Sequence, residues 1–515
     1  MKAIALAPLA LGFGMATGLG FQPIGWWWAT IVGFAGFVVI LARLGPRRAF
    51  WVGYLYGLGF FGMTVWYVVN FGWWAAALLI AFLALWGGLV GWAVAWITAR
   101  GPAWLVTAYP VVAACAWTGS EWLAQRVPFG GFCWSRFAYT VADQPLGGLL
   151  PVVGAGGVSF LVALTGALLA WLYLSKTWRR RIGFGVAIAA LMLGSGLLRL
   201  WPAPNTDGAL TVGMIQGDVD STAGPESMGY ARSVTAMHLS ETIMALATWR
   251  TSGTPLPDMI TWPENSTDSD PTYDPDTATM VNEASNLTGL PMLIGVISFG
   301  PGQGERQTSA LWWLPGVGQA ARLDKRNLAP FGERVPLYSI LSKLVPITNE
   351  VGLQGVPGTK PGVFPATVGG RDIVIGNTIC YELAYDATVY DTVLHGANLL
   401  TVQSSNVSFN GTWQPQEQWA ITRVRAMELR RWMVVTTTAS LSGLIDPHGR
   451  AVDVTTPHTG AFRLYSVPLG DGVTPGVLIG PWFERVVSLL AAAGVLYGLA
   501  MRCRRRIHWT KGETP

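Results

Sequence analysis

The sequence predicts an α-helical membrane domain of eight transmembrane helices, with an α/β domain inserted between the seventh and the eighth helix. Three observations lead to this prediction. Apolar stretches of similar length fill the first two hundred positions, a polar and β-rich region follows from 208 to 470, and short basic clusters separate the apolar stretches. A helix needs about 20 residues to cross the roughly 30 Å hydrocarbon core of a bilayer.

The composition differs from that of a soluble protein. Of 515 residues, 51% are hydrophobic and only 12% are charged, whereas a globular domain carries about 25% charged residues. The formal net charge of +5 is compatible with a nucleic-acid partner. The basic residues, however, stand in short clusters beside apolar stretches, which favours phospholipid headgroups as the partner.

Eight apolar stretches are the predicted spans. The eighth carries Glu484 and Arg485 near its start, which suggests that its first turn lies at the membrane interface. The first, preceded by Lys2, is interpreted as a retained helix because no cleavage pattern follows it. The predicted domains are residues 1–204, 205–472 and 473–515. The spans are 3–21, 24–42, 50–70, 73–98, 102–120, 149–174, 182–200 and 477–501.

Basic clusters predict the orientation of the chain. If the N-terminus is cytoplasmic, every cluster lies on the cytoplasmic side, as the positive-inside rule requires. The α/β domain and the loop at 121–148 then face outward. The clusters follow spans two, four, six and eight, at Arg43, Arg47 and Arg48, at Arg100, at Lys176 and Arg179 to Arg181, and at Arg502 and Arg504 to Arg506.

The membrane half alone is compatible with a simple anchor or a transporter. Transporters tend to carry charged residues within their spans, because ion and substrate paths need them. The span centres here are almost free of Asp, Glu, Lys and Arg. Transport is therefore disfavoured.

The thiols and imidazoles are too scattered for a metal or disulfide framework. Cys115, Cys133, Cys380 and Cys503 include no CxxC spacing, and the five histidines are dispersed. We expect no metal and no cofactor.

Glu264 is the first candidate for chemistry. It ends the segment Met-Ile-Thr-Trp-Pro-Glu, an apolar strand followed by a carboxylate. A carboxylate beside an apolar wall can have its proton affinity raised and serve as a base. Alone the signal is weak, because most such residues are ordinary loop charges.

Lys325 is the second candidate. It precedes a Pro-Phe-Gly-Glu turn that fixes the backbone and brings the carboxylate of Glu333 close. A lone lysine in a loop is usually solvated. A fixed ammonium, in contrast, can stabilise an oxyanion and favour a thiolate.

Cys380 is the third candidate. It stands at the end of an apolar segment and is followed at once by Tyr381 and Glu382. A buried structural cysteine is the commoner role for a lone thiol. Two features favour function: α/β domains place their chemistry at strand-to-loop junctions, and a charged neighbour would be costly in a core.

The order Glu264, Lys325, Cys380 and its local contexts resemble the nitrilase superfamily, and the whole chain resembles the apolipoprotein N-acyltransferases. The resemblance extends over nearly the full length. Further segments that carry it are Arg423 to Arg431, Ile445 to Gly449, Glu121 to Leu123, Gly131 to Ser135 and Gln144 to Gly147.

The resemblance implies an αββα sandwich on an eight-helix membrane domain. It implies Glu264 as general base, Lys325 as oxyanion stabiliser and Cys380 as nucleophile. Glu333 and Glu382 would be supporting carboxylates, and Tyr381 a neighbour of the acyl intermediate. The implied reaction is ping-pong: an acyl group moves from phospholipid to Cys380, then to the N-terminal amine of a diacylglyceryl-cysteine lipoprotein. The implied location is the bacterial inner membrane, with the site outside.

The chain departs from the family pattern in three segments. No Trp follows Gln216-Gly217, Asn406-Val-Ser-Phe409 replaces the usual Asn-Asp-x-Trp-Phe, and Thr436 to Ser440 stand where Asn-Thr-Gly is typical. These departures concern substrate preference more than chemistry. Two other functions stay open: a membrane-tethered amidase that admits water, and a catalytically silent lipoprotein-binding module.

Overall fold

A computed structural model describes residues 3–100, 108–204, 208–219, 231–344 and 351–510. The chain forms two compact units: Met1–Trp201 with Pro475–Pro515, and Pro202–Thr474. The start of the predicted second domain, at 205, lies outside the described residues.

The long secondary-structure elements described in the first unit are α-helices. Each predicted span coincides with a helix, although positions 102–107 of the fifth span lie outside the described residues. The helices are α1 (Ala3–Gly18), α2 (Trp27–Leu41), α3 (Pro46–Thr64), α4 (Trp73–Arg100), α5 (Tyr109–Ala124), α6 (Leu150–Leu174) and α7 (Trp178–Leu198), with a last helix at Pro475–Thr510.

Among the described residues, four segments are long and apolar enough to cross a membrane: Trp73–Ala99, Pro145–Leu174, Trp178–Leu198 and Pro475–Arg502. Two further apolar helices are shorter, at Leu6–Gly18 and Trp27–Leu41. Large apolar side chains such as Leu193 and Leu197 are mostly exposed on the protein surface. An exposed apolar surface of this kind suits contact with lipid.

Glu484 of the last helix is buried against other parts of the first unit. It is only 2% exposed. Its Oε1 accepts hydrogen bonds from Arg136 Nη2 at 2.9 Å and from Gln125 Nε2 at 3.3 Å. A buried carboxylate is stable only when it is paired and hydrogen-bonded, and these partners, distant in sequence, provide that pairing.

The second unit contains two β-sheets. One has the order β13-β1-β2-β3-β4-β5, with β6 beside β4, and the other has the order β12-β11-β10-β9-β8-β7. The strands are β1 (Ala209–Gln216), β2 (Met259–Thr261), β3 (Met292–Phe299), β4 (Glu305–Leu314), β5 (Gly318–Asp324), β6 (Gln354–Gly355), β7 (Val363–Val368), β8 (Arg371–Ile379), β9 (Leu399–Ser404), β10 (Met433–Thr437), β11 (Gly443–Ile445), β12 (Ala451–Val454) and β13 (Ala461–Pro468).

Four helices of this unit pack against the sheets. A core that joins the sheets includes Met214 and Leu293 from one and Ile375 and Val434 from the other. The arrangement is therefore the predicted α-β-β-α order of layers. The helices are α8 (Ser233–Thr251), α9 (Pro275–Thr288), α10 (Tyr338–Leu344), α11 (Asp386–Leu394) and α12 (Gln414–Leu429), and the last helix of the chain is α13.

Local sequence explains individual boundaries. Helix α9 begins after Asp274, whose side chain accepts a hydrogen bond from Thr277 N, with Pro275 at the first helical position. It ends at Gly289, which has a φ of 70°. Apolar runs in the sequence predict six strands, and the runs fall within or overlap β1, β2, β3, β8, β9 and β10, which confirms those predictions. The runs are 210–215, 259–262, 292–297, 373–379, 399–402 and 432–436.

Candidate active site

The three candidate side chains follow strand ends. Strand β2 leads through Trp262 and Pro263 to Glu264, β5 ends directly before Lys325, and β8 ends directly before Cys380. Because β2 and β5 belong to one sheet and β8 to the other, the site draws on both sheets. The backbone at Glu264 packs closely on Gly295, where an added Cβ would lie 2.6 Å from the Glu264 Cα.

Lys325 lies between two carboxylates. Its Nζ donates to Glu264 Oε1 at 2.8 Å and to Glu333 Oε1 at 2.9 Å, and its side chain is only 2% exposed. Burial by itself lowers the pKa of Lys325, but the charges of Glu264 and Glu333 outweigh it and hold the pKa well above its usual value. Lys325 is therefore a fixed, buried cation.

The Glu333 carboxylate is held by the Lys325 charge and by a backbone hydrogen bond. Burial raises the pKa of the Glu333 carboxyl, but the Lys325 charge and the Ala329 backbone N–H, which donates to Oε2 at 2.8 Å, bring the pKa below its ordinary value. This carboxylate stays charged and fixes the position of the ammonium.

Hydrogen bonds fix both the side chain and the backbone of Glu264. Its Oε2 accepts a hydrogen bond from Ser405 N at 2.9 Å, and its backbone carbonyl accepts from Thr438 Oγ1 at 3.2 Å. With Lys325 on Oε1, both carboxylate oxygens have a donor. The carboxylate is thus oriented before any substrate binds.

Cys380 stands at a strained backbone position and is partly exposed. Its φ is +52°, in the left-handed region that side chains rarely adopt, and a 3₁₀ turn over Cys380–Ala384 follows. Burial and then the nearby Glu264 carboxylate raise the pKa of the thiol, and they outweigh the opposing effect of Lys325. Lys325 does favour the thiolate, as predicted from a fixed ammonium, but its effect is smaller than those of burial and Glu264, so the thiol is neutral at rest.

Glu382 corrects an expectation from the sequence. The sequence argument treated a charge next to Cys380 as evidence against burial, but Glu382 is buried. It accepts hydrogen bonds from the backbone N–H groups of Ile379 at 2.9 Å and Arg326 at 2.6 Å. Burial still raises the pKa of this carboxyl above its usual value. Through these bonds Glu382 joins the segment of Cys380 to the segment of Lys325.

The remaining sequence candidates lie as follows. Tyr381 is buried, and its ring meets that of Tyr385 with centroids 5.4 Å apart. Cys115 and Cys133 are buried in the first unit, and the side chain of Cys503 lies outside the described residues. Across the described part of the chain, no group of three or more His, Cys, Asp or Glu side chains could hold a metal ion.

Three further residues contact the candidate side chains and were not predicted from the sequence as site residues. Asn406, noted only as part of a departure, has its Oδ1 4.0 Å from Cys380 Sγ. Ser405 and Thr438 orient Glu264 as described above. These residues follow β9 and β10, so the strand-end rule that selected Cys380 could also have selected them. Gln216, the first departure, is buried, and the residues from 220 to 230 lie outside the described ones.

Comparison with known proteins defines the class. Residues 259–460 match the carbon–nitrogen hydrolase family, and residues 13–168 match the apolipoprotein N-acyltransferase N-terminal domain. The second unit is thus a nitrilase-like domain, joined in one chain to apolar helices.

Curated relatives then define the family. An apolipoprotein N-acyltransferase of Mycolicibacterium smegmatis is 31% identical over 96% of this chain and 85% of the relative. Relatives of the same name from Vibrio parahaemolyticus and Methylococcus capsulatus are 26% and 29% identical, over 94% and 97% of this chain and 96% of each relative. The chain belongs to the apolipoprotein N-acyltransferase family, and it is an acyltransferase.

Proposed function

We propose that the chain transfers a fatty acyl group from a phospholipid to the α-amino group of the N-terminal diacylglyceryl-cysteine of apolipoproteins. The observation that carries this proposal is the buried Lys325, bound to Glu264 and Glu333 beside the Cys380 thiol. Base, cation and nucleophile suit acyl transfer through a thioester. Membership in the family supports the donor and acceptor.

The first half-reaction forms the acyl-enzyme. Glu264 accepts the Cys380 proton as Sγ attacks the ester carbonyl of the phospholipid. Lys325 and a backbone N–H near Tyr381 stabilise the oxyanion. The intermediate then collapses, and Glu264 returns the proton to the departing oxygen of the lysophospholipid. A general base is needed because the resting thiol is neutral.

The second half-reaction forms the amide. The lipoprotein amine attacks the thioester carbonyl, Glu264 accepts a proton from the amine nitrogen, and the carbon–sulfur bond breaks. The proton then returns to Sγ, which restores the thiol. Glu333 holds Lys325 in place through both halves, and Glu382 holds the turn of Cys380.

The proposed setting is the bacterial inner membrane. Eight helices span it, α1 to α7 before the catalytic domain and α13 after it, with domains at 1–204, 205–472 and 473–515. The catalytic domain faces outward, where both lipid-anchored substrates are available. The basic clusters and the apolar helices support this arrangement.

A membrane-tethered amidase would use the same three side chains with water as second nucleophile. Purified full-length protein with acyl-labelled phospholipid separates the two functions. The acyltransferase should accumulate a thioester that persists in water and is discharged by a diacylglyceryl-cysteinyl peptide. Continuous release of free fatty acid without an acceptor would favour the amidase.

Two variants test the roles in this assay. Cys380→Ala should abolish both thioester and product, with Cys133→Ala as the matched control that keeps them. Lys325→Ala should slow acyl transfer on the order of 10²-fold or more, because an oxyanion donor is lost. Near-normal transfer by Cys380→Ala would require a mechanism without this thiol.

A further inference from the structure

Asn406 is the polar side chain near Cys380 that the reaction described above does not use. It follows β9 and is only 5% exposed. Its φ is +59°, so the backbone adopts the left-handed region there. Non-glycine residues held in such conformations are frequent at functional sites.

Two donors face the Asn406 side-chain oxygen. Gln414 Nε2 donates to Oδ1 at 3.3 Å, and Cys380 Sγ lies 4.0 Å from the same atom. An amide oxygen has two acceptor positions. Gln414 uses one of them, and Cys380 Sγ lies within reach of the other.

The orientation of this oxygen is built into the fold. Gln414 and Gln418 are both buried, and Gln414 Nε2 also lies 3.5 Å from Gln418 Oε1. Gln418 Nε2 in turn donates to Ser404 Oγ at 2.6 Å, at the end of β9. Ser405, which directly precedes Asn406, donates its backbone N–H to Glu264 Oε2. The loop after β9 therefore orients both groups: Ser405 binds the Glu264 carboxylate, and the next residue, Asn406, carries the side-chain oxygen.

From this geometry we infer that Asn406 Oδ1 accepts a hydrogen bond from the attacking amine in the second half-reaction, an inference that rests on the proposed function. In the thioester Sγ carries an acyl carbon and no hydrogen, so one acceptor position of Oδ1 is free for the amine. A neutral primary amine carries two N–H hydrogens. Glu264 accepts one of them, as the proton that is transferred, and Asn406 Oδ1 binds the other.

The proton and bond balance of the step is unchanged by this contact. The carbon–nitrogen bond forms, the carbon–sulfur bond breaks, and one amine proton passes through Glu264 to Sγ. The second N–H hydrogen stays on the nitrogen of the amide product. Asn406 thus orients the nucleophile without itself taking a proton. The phospholipid ester has no N–H group, so the first half-reaction has no equivalent use for this oxygen.

Single-turnover kinetics of Asn406→Gly in the full-length protein test the inference. Glycine tolerates the left-handed backbone and removes the whole side chain, including the amide oxygen. Formation of the thioester from labelled phospholipid should stay within about threefold of wild type, and its discharge by a diacylglyceryl-cysteinyl peptide should slow about tenfold. His458→Gly, at an exposed left-handed position, is the matched control and should leave both rates unchanged.

Gln414→Met provides a second variant in which Asn406 is retained. It removes the donor that orients the Asn406 amide, so discharge should slow by about threefold, again with thioester formation preserved. Unchanged discharge in Asn406→Gly would overturn the inference, as would equal slowing of both half-reactions. If wild type forms no thioester from phospholipid, the proposed function itself fails, and the inference falls with it.

Discussion

At the scale of single residues, the proposed mechanism depends on the protonation state of Cys380. Burial and Glu264 raise the pKa of this thiol, while Lys325 already neutralises one carboxylate charge at 2.8 Å and contacts another at 2.9 Å. Two carboxylates beside one ammonium leave little positive charge to stabilise a thiolate. The site therefore resembles a general-base catalyst more than a preformed thiolate–cation pair.

The first prediction concerns the alkylation of Cys380. In a protein with Cys115, Cys133 and Cys503 changed to Ser, an iodoacetamide probe should label one position. Its rate should keep rising with pH beyond the ordinary thiol pKa, because the thiolate fraction grows until pH passes the raised pKa. Glu264→Gln should speed labelling at neutral pH, since it removes a carboxylate that opposes the thiolate.

Glu283→Gln, at an exposed position of α9, is the control and should not change the rate of labelling. Slower labelling of Glu264→Gln would mean that Glu264 acts on the thiol as a base even in alkylation. Loss of the acyl-enzyme in the triple variant, with folding intact, would point to a second essential thiol.

At the scale of elements, α12 supports the turn that carries Cys380. Arg425 is fully buried and donates to Leu383 O at 2.7 Å, to Glu428 Oε2 at 2.6 Å and to Asp386 Oδ1 at 2.7 Å. Glu428 also accepts a short hydrogen bond from Tyr390 Oη. The Leu383 carbonyl, in the 3₁₀ turn of Cys380, thus has a charged donor from helix α12.

The second prediction follows from this contact. Arg425→Met leaves Glu428 buried without its cation, a change that typically costs about 3–5 kcal/mol. The melting temperature of the catalytic domain should fall by about 10 °C. Arg463→Met breaks an exposed ion pair with Asp453. This control should lower the melting temperature by about 2 °C or less. Equal effects of the two variants would contradict the buried-charge argument.

Helix α8 contributes a second buried group, His238. Its ring is buried against Trp262, and its Nδ1 lies 2.7 Å from Val234 O. Within the described part of the chain, its Nε2 has no hydrogen-bond partner. Burial lowers the pKa of His238 to about 4.

The third prediction is a pH dependence of stability. The unfolded chain protonates His238 near pH 6.5 and the folded chain only near pH 4, so the unfolded state binds more protons between these values. The free energy of unfolding should fall by about 1.4 kcal/mol per pH unit as pH drops through this window. Thermal unfolding of His238→Gln at pH 7 and pH 5 should show a smaller decrease than wild type. Identical decreases would exclude His238 as the source.

At the scale of the whole molecule, the apolar helices and the nitrilase-like domain form two compact units. Among the described residues, four helices of the first unit are long and apolar enough to cross a bilayer. The unit also buries the Glu484–Arg136 ion pair, and Arg136 Nε lies 3.8 Å from Glu121 Oε2. Charges within an apolar unit are thus placed against one another instead of against lipid.

The fourth prediction concerns orientation. A reporter enzyme fused after about residue 205 should be active outside the cytoplasm, and one fused after Arg506 should be active only inside. The reason is that all basic clusters map to one face when the spans are counted as eight. As the control, two reporters are fused in turn at each point. One is active only outside the cytoplasm, and the other is active only inside it. External activity of the C-terminal fusion would mean an odd number of spans.

The sequence by itself determined the features that depend on local pattern. Apolar length placed the helices, strand-like apolar runs placed β2, β8 and β9, and the residues that follow such strands indicated Glu264 and Cys380 as site residues. These signals are local because hydrophobic periodicity and strand termini are properties of a few consecutive residues. The order Glu, Lys, Cys then indicated the family, which the comparisons confirmed.

Only the tertiary structure decided which charges are buried and what they contact. Glu382 and Glu484 are buried because partners distant in sequence reach them, such as Arg326 N for the first and Arg136 for the second. The same holds for Asn406, which meets Cys380 only because β8 and β9 are parallel neighbours that end side by side. The free energy of a buried polar group depends on partners that pairing of strands and helices brings together, and no local pattern encodes them.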